Sequence, residues 1–329
     1  MAKNIIITGA GGLIGPLIAT RLLNEPDYNV ILTDLVDPVV PAGVAYPENA
    51  TCLRGDITDA SFVASLLAAA AQPRLHAIFV FHGIMSAGSE ANFDLSLAVN
   101  VNSVRDLLLA LRAANPPGDR EPVRVIYSSS QAVYGQPLPA RVTDDVTPTP
   151  EGTYGAHKLL TEIFLNDMHR RGFVDAFILR FPSVVVRPGR PTNAASSFLS
   201  GMIREPMNGE ECVIPLRDRA FRSFLCSPSS LRENLYRVLH MDTNKLPKHI
   251  RHINVPGVSV SIQELMDALA KHGGEDKLKL LREETIPDLE RILRSWSPDF
   301  DNSTPLRLGL TQDESGESIV KEYIDSLKK

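Results

Sequence analysis

The sequence predicts an α/β protein whose core is a doubly wound parallel sheet, followed by a smaller, irregular C-terminal lobe. Short apolar segments alternate with segments of helical periodicity over the first half of the chain, which is typical of parallel strands joined by helical crossovers. The first strand contains Ile5, Ile6 and Ile7, and a glycine-rich turn and a helix follow it. Beyond Pro182, closely spaced prolines and glycines break the pattern into short pieces.

The other elements follow from the same two periodicities. Fully apolar or β-branched runs predict further buried strands at 29–33, 51–53, 77–81, 123–127 and 176–179. Helical spacing predicts helices at 13–23, 60–71, 93–114, 154–171, 262–271 and 312–327. Ser261 and Glu264 form a candidate capping box for the fifth helix. Residues 136–152 are rich in proline and threonine and predict a surface loop.

The glycine-rich turn predicts a nucleotide site. Gly9 permits the tight turn, Gly12 lets the backbone approach a pyrophosphate, and Gly15 lets the helix pack on the strand. The helix N-terminus adds free N–H groups and the positive end of a dipole. Leu13 and Ile14 lie between the last two glycines and are assigned to the same site.

Two aspartates at predicted strand ends indicate which nucleotide is bound. Asp34 follows the second strand, where a carboxylate accepts hydrogen bonds from an adenosine ribose and repels a 2′-phosphate. Residues 35–37 supply no arginine for such a phosphate, so we expect NAD rather than NADP. Asp56 and Ile57 are assigned to the adenine end, although an Asx-turn explains Asp56 equally well.

A serine, a tyrosine and a lysine predict the chemistry. Tyr154 and Lys158 are four residues apart and therefore share one face of a helix. The lysine ammonium is expected to lower the pKa of the tyrosine phenol. Tyr154 would then take a proton from a substrate hydroxyl while hydride leaves the same carbon, and Ser130 would hold that oxygen in line.

Together these motifs resemble the extended short-chain dehydrogenase/reductase superfamily, which contains the NAD-dependent epimerases and dehydratases. The resemblance covers the whole chain and rests on Thr8-Gly-x-x-Gly-x-x-Gly15, Asp34, Gly55-Asp56, Asn100-Val101, Ser-Ser-Ser-Gln-Ala-Val-Tyr-Gly at 128–135, and Tyr154-x-x-x-Lys158. Within the superfamily, stretches at 86–94, 171–175, 180–191, 193–198 and 203–206 are most similar to the D-erythronate dehydrogenases.

The resemblance implies a Rossmann core, bound NAD, and oxidation of a short sugar acid at the secondary hydroxyl next to its carboxylate. It implies that the serine, tyrosine and lysine carry catalysis, that Asn100 supports the lysine or a proton-relay water, and that Pro182 and Val184 flank the nicotinamide. It also implies a homodimer formed by the helices at 93–114 and 154–171. We expect a nucleotide-binding core at 1–182, with later returns near 220–255, and a mainly substrate-binding lobe at 183–329.

One departure from the family pattern concerns the wall beside the cofactor. Such proteins usually have small residues after the fourth strand, whereas this chain has Phe-His-Gly-Ile-Met at 81–85. His82 and Gly83 are assigned to the cofactor wall, with the histidine hydrogen-bonded there rather than acting as an acid or base. His157 is given no catalytic role because it faces elsewhere on its helix than the tyrosine and lysine.

Several residues are candidates for binding substrate. A guanidinium fork suits the carboxylate of a sugar acid. One or two arginines of a group of seven are expected to contact it, and these are Arg180, Arg187, Arg190, Arg204, Arg217, Arg219 and Arg222. Arg187 and Arg222 are preferred, and Ser86, Ser130 and Asn193 complete the candidate substrate residues.

Composition excludes several other classes. The 329 residues carry a net charge of −5, which argues against a nucleic-acid or anionic-membrane surface. No apolar run approaches the ~18 residues of a membrane span, and no leader peptide is expected. Three widely spaced cysteines, expected to be buried and reduced, favour a cytoplasmic location. The histidines show no metal-ligand spacing, so no metal is expected.

Two other functions stay open. A nucleotide-sugar epimerase would keep NAD tightly bound and use the same catalytic residues. A dehydratase is disfavoured because Gln131 and Ala132 stand where it would need an acidic pair. A non-catalytic NAD(P)-binding regulator is the alternative of another class, but such proteins usually lose the tyrosine or the lysine.

Overall fold

Seven parallel strands form the main sheet of the computed structural model, which describes residues 2–115, 118, 121–189 and 194–328. In chain order the strands of the main sheet and of two smaller sheets are β1 (Lys3–Thr8), β2 (Tyr28–Asp34), β3 (Ala50–Arg54), β4 (Leu75–Val80), β5 (Arg124–Ser130), β6 (Asp175–Phe181), β7 (Ser183–Val184), β8 (Cys212–Ile214), β9 (Arg222–Cys226), β10 (His252–Asn254), β11 (Val258–Ser261) and β12 (Leu281–Glu283). The main sheet has the order β10-β6-β5-β4-β1-β2-β3. The doubly wound fold is confirmed.

The strand order reverses between β1 and β4, and this position determines where a ligand binds. The two strands are parallel neighbours, with Thr8 of β1 opposite Val80 of β4. β2 and β3 continue the sheet to one side of this pair, and β5, β6 and β10 to the other. In open α/β sheets the loops diverge at such a reversal and leave a crevice outside the carboxyl ends of the strands.

Helices cover both faces of the main sheet, and further helices build the C-terminal lobe. They are α1 (Ile14–Leu22), α2 (Ala60–Ala69), α3 (Ser86–Ala91), α4 (Phe93–Leu97), α5 (Ser103–Ala114), α6 (Thr153–Arg170), α7 (Ser197–Met207), α8 (Pro228–Leu239), α9 (Ile262–Gly273), α10 (Pro287–Arg294), α11 (Ser303–Arg307) and α12 (Gly316–Ser326). Successive residues of a strand face opposite sides. Ile5 and Ile7 therefore pack with α1 and α8 on one face, while Ile6 packs with α2 and α5 on the other.

The helix predicted at 93–114 is interrupted. The structure has α4, a π-helical turn over Ala98–Asn102, and then α5. A π-helical turn inserts one extra residue and turns a side chain that an unbroken helix would place elsewhere. Asn100 lies in this turn and is buried.

The C-terminal lobe is more regular than the proline and glycine pattern suggests. A small sheet of order β11-β9-β7 and the parallel pair β12-β8 pack with α7, α9, α10 and α12 around a separate apolar core. The capping box of α9 is confirmed, because the Glu264 N–H donates to Ser261 Oγ and the Ser261 N–H to the Glu264 carboxylate. Near 220–255, β9 joins the small sheet, whereas β10 joins the main sheet. The domain limits at 182 and 183 stay a prediction.

The cysteines differ from the expectation at one position. Cys212 and Cys226 are buried, but Cys52 is exposed. The reason is its place on β3, which forms the edge of the main sheet and is paired with β2 on one side only.

Candidate active site

A cavity of about 380 Å³ lies between the glycine turn, the ends of β5 and β6, and the C-terminal lobe. Its lining includes many of the predicted site residues, namely Gly9, Gly12, Leu13, Ile14, Gly83, Ser86, Ser130, Tyr154, Lys158, Pro182, Val184, Arg187 and Arg222. The predicted residues outside its lining are Gly15, Asp34, Asp56, Ile57, His82 and Asn100. Asn193 lies outside the described residues. The fold thus brings together side chains from distant parts of the sequence.

The glycine turn has the backbone shape that a pyrophosphate site requires. Gly9 has a φ of +69°, and a Cβ there would lie 2.7 Å from the backbone nitrogen of His82. A Cβ on Gly15 would lie 2.7 Å from the Cα of Ala10, so only glycine lets α1 pack this closely on the turn. These cradles, which a Cβ would fill, fit the dinucleotide that the sequence predicts.

Asp34 connects the end of β2 to the glycine turn. Its carboxylate accepts a hydrogen bond from the Gly11 N–H at 2.9 Å, which places it beside the pyrophosphate turn, where a ribose would lie. The structure also shows what the sequence did not suggest, an arginine close by. Arg54, at the end of β3, donates to the Leu35 carbonyl at 3.1 Å and pairs with Asp37 at 3.2 Å.

Asp56 forms a local turn. Its carboxylate accepts hydrogen bonds from the Thr58 N–H at 2.9 Å and from the Thr58 hydroxyl at 2.8 Å. This is the Asx-turn geometry that was the simpler explanation for this residue. The adenine contact assigned to Asp56 and Ile57 stays a prediction.

His82 and Asn100 support the wall of the cavity from behind. The His82 ring bridges the hydroxyls of Thr8 at 2.8 Å and Ser103 at 3.0 Å. Burial, together with the charge of Lys158, lowers the pKa of His82 to about 3, so the ring is neutral. Asn100 holds the next turn, because its side chain accepts from the Ile84 N–H at 2.7 Å and donates to the Ile84 carbonyl at 3.0 Å.

Ser130, Tyr154 and Lys158 converge at the carboxyl end of β5. Ser130 Oγ accepts the Ala132 N–H at 3.1 Å, and the Ser130 hydroxyl is also hydrogen-bonded to Tyr154. Lys158 Nζ donates to the Ser128 carbonyl at 2.6 Å and lies 5.6 Å from the centroid of the Tyr154 ring. The geometry suits a hydroxyl held against the phenol.

The pKa values of Tyr154 and Lys158 differ from the expectation. Burial raises the pKa of Tyr154 to about 12, while a hydrogen bond from Ser130 and the charge of Arg187 oppose the shift. Burial lowers the pKa of Lys158 to about 7, opposed by the carboxylate of Glu162. The expectation that Lys158 lowers the pKa of Tyr154 is therefore wrong for this state of the protein. The physical reason is that the phenol is itself buried, which disfavours its charged form.

Arg187 and Arg222 both line the cavity, but their surroundings differ. Arg222 is the exposed first residue of β9 and forms an ion pair with Glu264 at 3.0 Å. Arg187 donates to the Val184 carbonyl at 3.0 Å and to the Ser196 hydroxyl at 3.3 Å, and among the described residues no carboxylate pairs with it. Burial lowers the pKa of Arg187, and the nearby Tyr154 opposes that shift. Within the described part of the chain, Arg187 is therefore a cation without an acidic partner, and its charge influences the Tyr154 phenol.

Much of the remaining lining could not be found from the sequence. The lobe contributes Phe224, Trp296 and Phe300, and the core contributes Phe81 and Phe181, whose ring centroids are 6.3 Å apart. Gln131, Met85, Leu293 and Ser297 also line the cavity. Two features of the sequence could have indicated these lining residues. They are the unusual 81–85 segment and Trp296, the one tryptophan of the chain.

The described residues show neither a metal-binding cluster nor a membrane-spanning helix. Within residues 2–115, 118, 121–189 and 194–328, no group of three or more His, Cys, Asp and Glu side chains is arranged to hold a metal ion. In the same part of the chain, no helix combines the length and apolar character needed to cross a membrane.

Comparisons with known proteins agree with this geometry. The model of the NAD dependent epimerase/dehydratase family matches residues 5–228. D-erythronate dehydrogenases from Haemophilus influenzae and Cupriavidus necator are each 32% identical to this chain, over 98% of its length and 98% of theirs. A solved structure described as the nucleoside-diphosphate-sugar epimerase from Agrobacterium tumefaciens is 32% identical, with a TM-score of 0.90 over 98% of this chain and 94% of that one.

Proposed function

The chain belongs to the NAD dependent epimerase/dehydratase family and is an NAD-dependent oxidoreductase, and on this premise we propose that it oxidises a small sugar acid. The proposed substrate is D-erythronate-like, and the proposed reaction converts the secondary hydroxyl next to the carboxylate to a ketone. NAD, when bound, accepts the hydride from the carbinol carbon. The proposed products are the 2-oxo acid, NADH and a proton.

The catalytic roles follow from the arrangement at the end of β5. Ser130 donates a hydrogen bond to the reacting oxygen, since its hydroxyl keeps a proton to donate while its oxygen accepts the Ala132 N–H. Tyr154 takes the hydroxyl proton as hydride departs. Lys158 holds its place on the Ser128 carbonyl and supplies positive charge beside the phenol when it is protonated.

The observation that carries the choice of an acid is Arg187. A partly buried guanidinium that has no carboxylate partner among the described residues is favoured when a ligand supplies the counter-charge. The cation is close enough to the phenol that would take the proton for their charges to influence each other. A substrate carboxylate bound there would place the neighbouring carbinol at Tyr154 and Ser130.

We assign cofactor binding to residues of the glycine turn and of the cavity wall. Gly9, Gly12 and Gly15 would receive the pyrophosphate, and Asp34 the adenosine ribose. Pro182 and Val184 line the cavity at the position expected for the nicotinamide.

The experiment that tests the proposal is a screen of NADH formation across four- to six-carbon sugar acids and the matching neutral polyols, with NAD and with NADP. We expect turnover of one or more four-carbon acids with NAD and little turnover of the corresponding polyols. The proposal fails if no sugar acid yields NADH while other alcohols do.

A nucleotide-sugar epimerase is the second candidate, supported by the Agrobacterium tumefaciens structure, whose description names that activity. The two candidates differ in product. An epimerase interconverts nucleotide sugars without net NADH, whereas the proposed dehydrogenase releases one NADH per substrate. A product analysis with a panel of nucleoside diphosphate sugars separates them.

Two features of the protein stay predictions. A homodimer through α5 and α6 is supported by the exposed apolar side chains of Leu109, Leu160 and Ile163 on these helices. Sedimentation of the wild type and of Ile163→Glu tests it, because the dimer requires the charged variant to be smaller. A cytoplasmic location also stays a prediction.

A further inference from the structure

Arg54 is an exposed cation beside the residue proposed to hold the adenosine ribose. Asp34 and Arg54 are partners in the parallel register of β2 and β3, and the Gly55 N–H donates to the Asp34 carbonyl at 2.9 Å. Neighbouring strands lie about 4.8 Å apart, so both residues stand at the same point of the carboxyl edge of the sheet. The Arg54 side chain is 63% exposed, so a ligand can reach its guanidinium.

Two oxygens from the segment after Asp34 hold this guanidinium. Nε of Arg54 donates to the Leu35 carbonyl at 3.1 Å, and Nη1 donates to the Asp37 carboxylate at 3.2 Å. Asp37 is therefore the counter-charge of Arg54, although its own side chain is 79% exposed. Exposed pairs of this kind contribute little, equivalent to about a fivefold change in an equilibrium constant or less. A ligand anion with more charge than a carboxylate can therefore displace Asp37 from Arg54.

The chemistry of the pair identifies that anion. NADP differs from NAD by a phosphate on the 2′-oxygen of the adenosine ribose, the oxygen that a carboxylate at the position of Asp34 would bind. An arginine fork suits a phosphate, which offers several charged acceptor oxygens. We propose that Arg54 forms a subsite for a 2′-phosphate and that two carboxylates keep this subsite closed. Asp34 repels the phosphate, and Asp37 occupies the guanidinium that would bind it.

This inference rests on the part of the proposed function that assigns the ribose to Asp34, and it deepens the expected preference for NAD. The sequence argument for that preference is the absence of an arginine at 35–37, yet the fold brings an arginine to the same place from β3. The preference therefore depends on two carboxylates rather than on a missing cation. A protein that lacks both carboxylates should bind NADP through Arg54.

Titrations with NADH and NADPH test the subsite without any substrate. Four proteins are compared, namely Asp34→Ala, Asp34→Ala with Asp37→Asn, and each of these with Arg54→Met added. Cofactor fluorescence gives the Kd of each cofactor, and the NADPH preference is the Kd for NADH divided by the Kd for NADPH. This ratio cancels any effect that a substitution has on both cofactors alike. The double-mutant cycle isolates the coupling between Arg54 and Asp37.

The expected changes follow from the strengths of the two competing contacts. When Asp37 is replaced, Arg54→Met should lower the NADPH preference by roughly 10- to 150-fold, the range for a hydrogen bond to a charged group. When Arg54 is present, Asp37→Asn should raise the preference by about two- to fivefold, because it removes the exposed pair that competes with the phosphate. Without Arg54 the same substitution should give a smaller gain. Arg54→Lys keeps the charge but lacks the fork and should be intermediate.

Three controls separate the subsite from general charge, from the nicotinamide and from folding. Glu48→Gln removes an exposed carboxylate in the turn before β3, at the far end of that strand from Arg54, and should change the ratio by less than about twofold. Adenosine 2′,5′-bisphosphate and adenosine 5′-monophosphate, compared by calorimetry, should show the same dependence on Arg54, because they differ only in the 2′-phosphate. The Tm should change by less than about 2 °C on replacing Asp37 or Arg54, since the pair is exposed.

Three results overturn the inference. The first is a ratio that Arg54→Met leaves unchanged in the Asp37→Asn protein. The second is a gain from Asp37→Asn that is as large without Arg54, which would indicate direct repulsion by Asp37. The third is an equal gain from Glu48→Gln.

These results are distinguishable from a failure of the proposed function. If Asp34→Ala leaves the ratio unchanged, the ribose assignment is wrong and the inference is overturned with it. If Asp34→Ala alters the ratio and Arg54→Met does not, only the subsite is overturned. The choice of a sugar acid is independent of all these outcomes, because the titrations contain no substrate.

Discussion

Replacing Arg187 by methionine tests the binding of the substrate carboxylate. The guanidinium is fixed by the Val184 carbonyl at 3.0 Å and the Ser196 hydroxyl at 3.3 Å. A lost hydrogen bond to a charged group costs about 1.5–3 kcal/mol, which corresponds to a drop in kcat/KM of roughly 10- to 150-fold. The loss should be specific to sugar acids, since a neutral polyol has no carboxylate to bind.

Removing Arg187 should also change the pH dependence. Its charge opposes the burial that raises the pKa of Tyr154 to about 12. Without that charge the pKa of the phenol rises further, so the rate of alcohol oxidation should increase only at higher pH than in the wild type. Initial rates of NADH formation between about pH 6 and about pH 10 measure both effects.

Arg222→Met is the matched control, because this second arginine lines the same cavity. Its side chain is 43% exposed and paired with Glu264, so its loss should change kcat/KM by less than about fivefold. Arg187→Lys keeps the charge without the fork and should lie between the wild type and Arg187→Met. A larger loss for Arg222→Met than for Arg187→Met, or equal losses on acids and polyols, would refute the reasoning.

Four further predictions concern catalysis, cofactor and stability. Tyr154→Phe should lower kcat by about 10²- to 10⁴-fold with unchanged NADH affinity, and unchanged activity in vivo would favour a regulator instead. Asp34→Ala should weaken NAD binding and reduce the preference over NADP in fluorescence titrations, and an unaltered preference would contradict the ribose contact. Glu162→Gln leaves the buried guanidinium of Arg180 unpaired and should cost about 3–5 kcal/mol in urea unfolding, so a loss below about 1 kcal/mol would contradict it. Burial depresses the pKa of His82 from 6.5 to about 3, so on acidification the unfolded chain binds this proton at a higher pH than the folded protein does. The contribution of the neutral His82 ring to the free energy of unfolding is therefore complete above about pH 6.5 and is lost as pH falls towards about 3. The Tm should therefore fall less on acidification in His82→Asn, and parallel pH profiles would exclude this role.

The fold was predictable because it depends on local patterns. Apolar runs such as Ile5 to Ile7 are long enough to form strands buried on both faces, and the structure places them so. The interruption of the helix at 93–114 was not predictable. In the π-helical turn Asn100 contacts the Ile84 backbone, and these two residues are 16 positions apart in the sequence. Helical periodicity alone does not record such an insertion.

The candidate site divides in the same way. The sequence by itself determined the glycine turn, Asp34, and the Ser130, Tyr154 and Lys158 set, because each is defined by its spacing within or beside one element. Tertiary structure alone decided that Arg222 has a carboxylate partner, since Glu264 lies 42 residues away in α9. It also decided the titration of Tyr154 and Lys158, because burial depends on the packing of the whole fold.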